Sequence, residues 1–232
     1  MSIAENIATI RATMDAAAVA ADRDPKEIQL IGASKMNDAD ACRQAIAAGI
    51  DALGENRVQE MTQKLGENAY EGAPLHFIGH LQRNKVRQVV GKVDLIQSVG
   101  SVALLEAVEK EAAKQGVVQS ILLEVNIGCE EGKSGFLPQD LESGARFALT
   151  CSHVKVEGLM TIPPADATVT ENRQYFKQVH GLYVDIGANL FHNELKCLSM
   201  GMSGDFADAI ACGATMVRVG SAIFGYRSYQ VQ

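Results

Sequence analysis

Apolar residues fall along this chain in short dense runs, separated by longer stretches in which they recur every three or four positions. The dense runs lie near residues 28–33, 51–54, 75–79, 94–98, 120–127, 154–160, 195–199 and 215–219. Runs this short and rich in Val, Ile and Leu predict strands buried on both faces, as parallel sheets require. The longer stretches predict helices near 38–48, 56–65, 83–90, 101–115, 138–150, 170–188 and 204–212. Before the first run, Ile3, Ile7, Ile10, Met14 and Val19 keep a helical rhythm and predict a leading helix over residues 1–20. Gly49, Gly116 and Gly213 stand where helices should end in a left-handed residue.

Eight strands alternating with helices, with no Pro/Gly/Ser-rich linker between them, predict one α/β domain over residues 1–232. The predicted fold is a single (β/α)8 TIM barrel with an extra N-terminal helix. A doubly wound open sheet has the same alternation. The strand count, and the lack of a Gly-x-Gly-x-x-Gly turn after the first run, favour the barrel.

A barrel gathers its chemistry at the C-terminal ends of its strands. There the sequence supplies Ser34-Lys35, Gly54-Glu55-Asn56, Gly79-His80, Ser199-Met200-Gly201 and Val219-Gly220-Ser221. A lysine ending a buried strand is a wasted charge or a reagent, since a desolvated amine loses its proton readily and attacks aldehydes. The turns at 199–205 and 220–221 pair glycines with serine hydroxyls, a cradle suited to a phosphate dianion. A strand-end amine facing a phosphate cradle suits an aldehyde that carries a phosphate, and pyridoxal 5'-phosphate (PLP) is one. Arg218 should point inward from the last strand and needs an acceptor, either a pyridine nitrogen or an acid such as Glu55. Asn56 could bond a ligand oxygen or cap the following helix. His80 could be an acid–base group or bond a neighbouring loop. Gly128-Cys129-Glu130-Glu131-Gly132-Lys133 has three residues between its glycines where a Walker loop has four, so it is not read as a nucleotide site. Lys133 is then a surface lysine or a second amine at the barrel mouth.

Composition narrows the partners. With 28 acidic against 21 basic residues, a net charge of −7 disfavours a nucleic-acid backbone, and Arg83-Asn84-Lys85-Val86-Arg87 reads as a solvated helix face. Cys42, Cys129, Cys151, Cys197 and Cys212 are odd in number and lack metal-ligand spacing, so neither disulfides nor a metal is expected. The start Met1-Ser2-Ile3-Ala4-Glu5-Asn6 is not basic, and no apolar run approaches the roughly 18 residues of a membrane span. A cytoplasmic protein is expected.

Five motifs give the chain a resemblance. They are Ile31-Gly32-Ala33-Ser34-Lys35, Gly54-Glu55-Asn56-Arg57-Val58-Gln59-Glu60, the stretch from His76 to Lys85, the stretch from Leu198 to Ser203, and the stretch from Thr215 to Gly225. In order and spacing, from about residue 28 to 227, they resemble the YggS/PROSC family of pyridoxal phosphate homeostasis proteins, similar in fold to the N-terminal barrel of alanine racemase. The resemblance implies a PLP cofactor held as a Schiff base, the internal aldimine, on Lys35. It implies Asn56 near the ring oxygen and Arg218 at the pyridine nitrogen. Ser199, Met200 (by its backbone), Gly220 and Ser221 would meet the phosphate. The family often has Thr where this chain has Ser221, which keeps the hydroxyl. Lys133 matches the lysine of the family's Gly-Lys-Ser-Gly loop.

The implied function is vitamin B6 homeostasis: storing, buffering or delivering PLP, with PLP-dependent apo-enzymes as recipients and an indirect effect on amino-acid metabolism. No catalytic residue and no metal are assigned. The alternative is a PLP-dependent racemase or lyase acting on a small amino acid; a Schiff-base aldolase without PLP is a third reading. A racemase takes a second base from a further domain, and the chain runs only a few residues past its last strand, so none is expected. Monomer and weak dimer both remain open.

Overall fold

The computed structural model describes residues 1–225. Helix α1 (Ile3–Ala20) starts at a capping box, in which Ser2 and Glu5 satisfy each other's backbone N–H groups. Its buried stripe is Ile7, Ile10, Met14 and Ala18. The stripe ends on Ala18 rather than on the expected Val19, which is 68% exposed, because a rise of four residues from Met14 stays on the packed face. The chain then alternates through β1 (Gln29–Ala33), α2 (Ala39–Ala47), β2 (Ala52–Glu55), α3 (Val58–Gly66), β3 (Leu75–Phe77), β4 (Leu95–Val99), α4 (Val102–Gln115) and β5 (Gln119–Val125). It continues through α5 (Leu141–Ala148), β6 (Val154–Thr161), α6 (Val169–Leu190), β7 (Cys197–Ser199), α7 (Phe206–Ala211), β8 (Met216–Val219) and α8 (Ser221–Phe224).

Each strand pairs in parallel with its sequence neighbours, and β8 returns to β1, so the sheet closes into an eight-stranded barrel. The connection after β3 departs from expectation: Arg83–Gln88 form a 3-10 helix, not an α-helix over 83–90. Only Val86 anchors it in the core, and six residues are too few for a packed amphipathic face. Arg83 and Arg87 are exposed on it. Gly49, Gly116 and Gly213 all carry positive φ, and Gly116 is the left-handed C-cap of α4.

Strand alternation divides the buried residues in two. One set, including Leu30, Leu53, Phe77, Ile96 and Leu198, packs outward against the helices. The other, Ile31, Ala52, Leu95, Leu122, Met160 and Met216, fills the barrel interior. Above this apolar floor, towards the C-terminal ends of the strands, the inward positions turn polar, and this change of layer creates the site.

Candidate functional site

Arg218 follows Met216 by two positions on β8, so alternation turns it inward above the floor. Its residue is 4% exposed. The guanidinium donates to Ser199 Oγ at 2.5 Å and to the Thr161 carbonyl at 2.8 Å. Ser199 Oγ donates in turn to Gln97 Oε1 at 2.6 Å, and Gln97 Nε2 lies 3.0 Å from His76 Nδ1. An amide that accepts from Ser199 presents its NH2 to the ring, so His76 Nδ1 is the acceptor and the imidazole is neutral. Burial lowers the Arg218 pKa to about 10, with Glu124 and Asp205 opposing, so the group keeps its charge at neutral pH.

Burial likewise pushes the His76 imidazole down to about 4, against the pull of Asp94. An unfolded histidine titrates near 6.5, so as pH falls from about 6.5 to about 4 the unfolded chain takes up a proton that the folded chain refuses. Stability present above this window is therefore lost within it. The midpoint of thermal unfolding is expected to fall on acidification through this range, and to fall less in His76→Gln. Parallel pH profiles of the two proteins would count against this buried neutral histidine.

The mouth is built around Asn56, Gly79, His80, Glu124, Asn126 and Lys133, which line a cavity of about 390 Å³. A larger cavity, about 620 Å³, lies at the opposite end among Cys151, Lys155, Phe191 and Lys196, and none of the expected site residues lines it. Asn56 Oδ1 is buried without a hydrogen-bond partner. It is not the helix cap: Arg57 holds that position, with no side-chain cap bond. His80 is exposed, and among the described residues no loop bonds its ring. Glu124 was not singled out from the sequence. Its Oε1 accepts from Ser134 at 3.3 Å, its Oε2 has no partner, and burial raises its pKa against the pull of Ser134, Arg218 and His80. Lys133 is exposed on the loop beside it, in an ion pair with Glu130.

Lys35 lies in the turn just after β1, and it is exposed. The expectation of a desolvated amine is corrected here, since the strand ends at Ala33 and Lys35, two residues beyond it, is open to solvent. Its neighbours are those the register dictates. Ala33 pairs with Gly54 on β2, and Gly32 pairs with Val219 on β8, which places Lys35 between Asn56 and the Gly220-Ser221 turn. A Cβ on Gly220 would come within 3.2 Å of the Ala33 carbonyl, so the absence of a side chain lets the two strands close up.

The Glu55 alternative for Arg218 fails on the pleat. Glu55 and Arg218 point to opposite faces of the sheet, and fully buried Glu55 pairs with Lys64 of α3 at 2.6 Å. At the expected phosphate end, two groups already have internal partners. The Ser199 hydroxyl is committed to Gln97 and Arg218, and Met200 N–H donates to the Met216 carbonyl at 3.1 Å. Ser221 Oγ meets Ser203 Oγ at 3.3 Å, which brings a second hydroxyl to the turn. Among the described residues, no group of three or more His, Cys, Asp or Glu is placed to hold a metal. No helix there is long and apolar enough to cross a membrane.

Residues 2–228 match the family described as the alanine racemase N-terminal domain. A pyridoxal phosphate homeostasis protein of Aquifex aeolicus is 38% identical over 229 residues, covering 99% of this chain and 100% of that relative. The chain belongs to the pyridoxal phosphate homeostasis family. A homeostasis-family relative from Escherichia coli K12 is 34% identical over 230 residues, covering 98% of this chain and 97% of its own length. Among solved structures, PipY of Synechococcus elongatus with PLP bound aligns at a TM-score of 0.84 with 34% identity, over 97% of this chain and 100% of that one. An alanine racemase of Clostridium difficile aligns at 0.69 with 16% identity, over 88% of this chain and 53% of its own, a likeness of fold alone. The homeostasis-family barrel and the racemase barrel thus share an architecture.

Proposed function

We propose that this chain binds PLP in the barrel mouth, anchored covalently on Lys35, and stores, buffers or delivers it in the cytoplasm to PLP-dependent apo-enzymes. The observation that carries the reading is Arg218. Among the described residues this buried guanidinium forms no ion pair, and it lies on the strand beside that of Lys35. A pyridine nitrogen is an acceptor that suits it. The PLP bound to PipY and the shared family name support the same ligand here.

The residues present fit the group. The unpartnered Asn56 Oδ1 sits in the mouth, and the hydroxyls of Ser221 and Ser203 come together at the turn after β8. Gly220 and Ser221 would hold the phosphate. Ser199 and Met200 would join them only by exchanging the internal bonds they now make. When bound, PLP supplies an aldehyde that reacts with amines and a ring that draws electrons from them. Arg218, which keeps its proton at neutral pH, would leave the ring nitrogen unprotonated and so weaken that withdrawal, as suits a carrier better than a catalyst. The exposed mouth leaves the cofactor reachable, and Lys133 on its rim would be the second amine that hands it on. Five unpaired cysteines accord with a reducing compartment.

The test is titration of the purified chain with PLP, followed by visible absorbance. One saturable site is expected, and no saturable binding would remove the proposal. Arg218→Glu is expected to shift the visible band and to weaken binding by about tenfold or more, since a carboxylate invites a proton onto the ring nitrogen. An unchanged band and affinity would separate Arg218 from the ring.

A further inference from the structure

Among the described residues the Lys35 amine has no hydrogen bond, so no bond holds its four-carbon side chain in place. What is held is its backbone. Lys64 Nζ donates at 2.8 Å to the Ser34 carbonyl, which belongs to the peptide group before Lys35. Glu60 Oε2 accepts at 2.7 Å from the Met36 N–H, which belongs to the peptide group after it. Glu60 and Lys64 lie one turn apart on the same face of α3.

Both grips are themselves secured. Lys64 is 4% exposed and bonds Glu55 Oε1, which also receives Ser34 Oγ at 2.6 Å and Tyr70 Oη at 2.9 Å. Glu60 pairs through its other oxygen with Arg57. Met36 has a φ of +61°, the left-handed region that costs a residue with a side chain, and its N–H is the group Glu60 holds.

We propose that Glu60 and Lys64 are positioning residues for the Lys35 amine. They fix the peptide planes on both sides of its Cα, so a flexible, exposed side chain starts from one backbone conformation and less freedom is lost when its amine is engaged. This rests on Lys35 being the PLP anchor and adds α3, outside the ring of strands, as the element that sets it.

A double-mutant cycle tests it. The Glu60 side chain is 23% exposed, so Glu60→Ala leaves the core intact, and circular dichroism checks the fold. In the otherwise native chain, Glu60→Ala is expected to weaken PLP binding about tenfold and to lower the fraction of Lys35 reduced by borohydride at limiting PLP. Glu60→Gln, whose amide oxygen accepts the same N–H, should restore most of the loss. In the Lys35→Ala background, Glu60→Ala should change the remaining binding by less than about twofold. Equal weakening in both backgrounds would overturn the proposal, because Glu60 would then act on the whole site. No weakening in the native background would overturn it too. Should Lys35→Ala bind PLP as well as the native chain, the anchor itself fails, an outcome distinct from either.

Discussion

Lys35→Ala is expected to abolish the visible absorbance that PLP acquires on the protein and to remove every borohydride-stable adduct. Lys35 is the lysine whose backbone the β1–β8 and β1–β2 registers bring between the Gly220-Ser221 turn and Asn56. Its loss leaves Arg218 and the Gly220-Ser221 turn proposed for the phosphate untouched, so weak non-covalent binding should survive, reduced by at least about tenfold. The fold should not suffer, because Lys35 is exposed and makes no side-chain hydrogen bond among the described residues. Absorbance and affinity that both match the native chain would mean another lysine is the anchor. The rim amine of Lys133 is then the first to examine, by adding Lys133→Ala to the same titration.

Lys64→Met is expected to be the most destabilising of the single substitutions described here. It would strand the Glu55 carboxylate, which is fully buried and whose Oε2 already has no partner. Removing one member of a buried pair costs about 3–5 kcal/mol, because the remaining charge is left in a poorly polarisable interior. For a domain of this size that is a drop of roughly 6–20 °C in unfolding midpoint. The double variant Glu55→Gln/Lys64→Met should recover much of the loss, since no lone charge remains. Lys114→Met provides the contrast: its ion pair with Glu111 spans 3.8 Å with the lysine 74% exposed, and its removal should scarcely register. A Lys64→Met midpoint like that of Lys114→Met would show that the buried pair is not what ties α3 to β1 and β2.

The barrel was legible because most strands lie in apolar runs, as β1, β4, β5 and β8 do, and period-two alternation then carries each residue to a face. That alternation places Arg218 inward from sequence alone. Followed through β2, it would also have excluded Glu55 as its partner. The 3-10 helix at Arg83–Gln88 was not legible, since Val86, Val89 and Val90 fall three and four residues apart as in an α-helix, while only Val86 within the segment finds the core. Pairings across elements, such as Glu55 with Lys64, depend on how α3 docks, and no local pattern encodes them. Glu124 and Gln97 did leave a trace. Each is a polar residue in a buried, largely aliphatic strand, Ile121-Leu122-Leu123-Glu124-Val125 and Leu95-Ile96-Gln97-Ser98-Val99, and such a residue faces a polar neighbour or a ligand. The exposure of Lys35 was missed because a strand-end position says where the backbone goes, not how open the mouth is.

Peptide mapping after borohydride reduction of the native chain loaded with PLP is the most direct test. A pyridoxyl adduct confined to the peptide that carries Lys35 is the expected result, and it would join cofactor, anchor and the C-terminal face of the barrel in one observation. No adduct with PLP in excess, or an adduct only on a lysine away from the mouth, would contradict a PLP carrier anchored at Lys35.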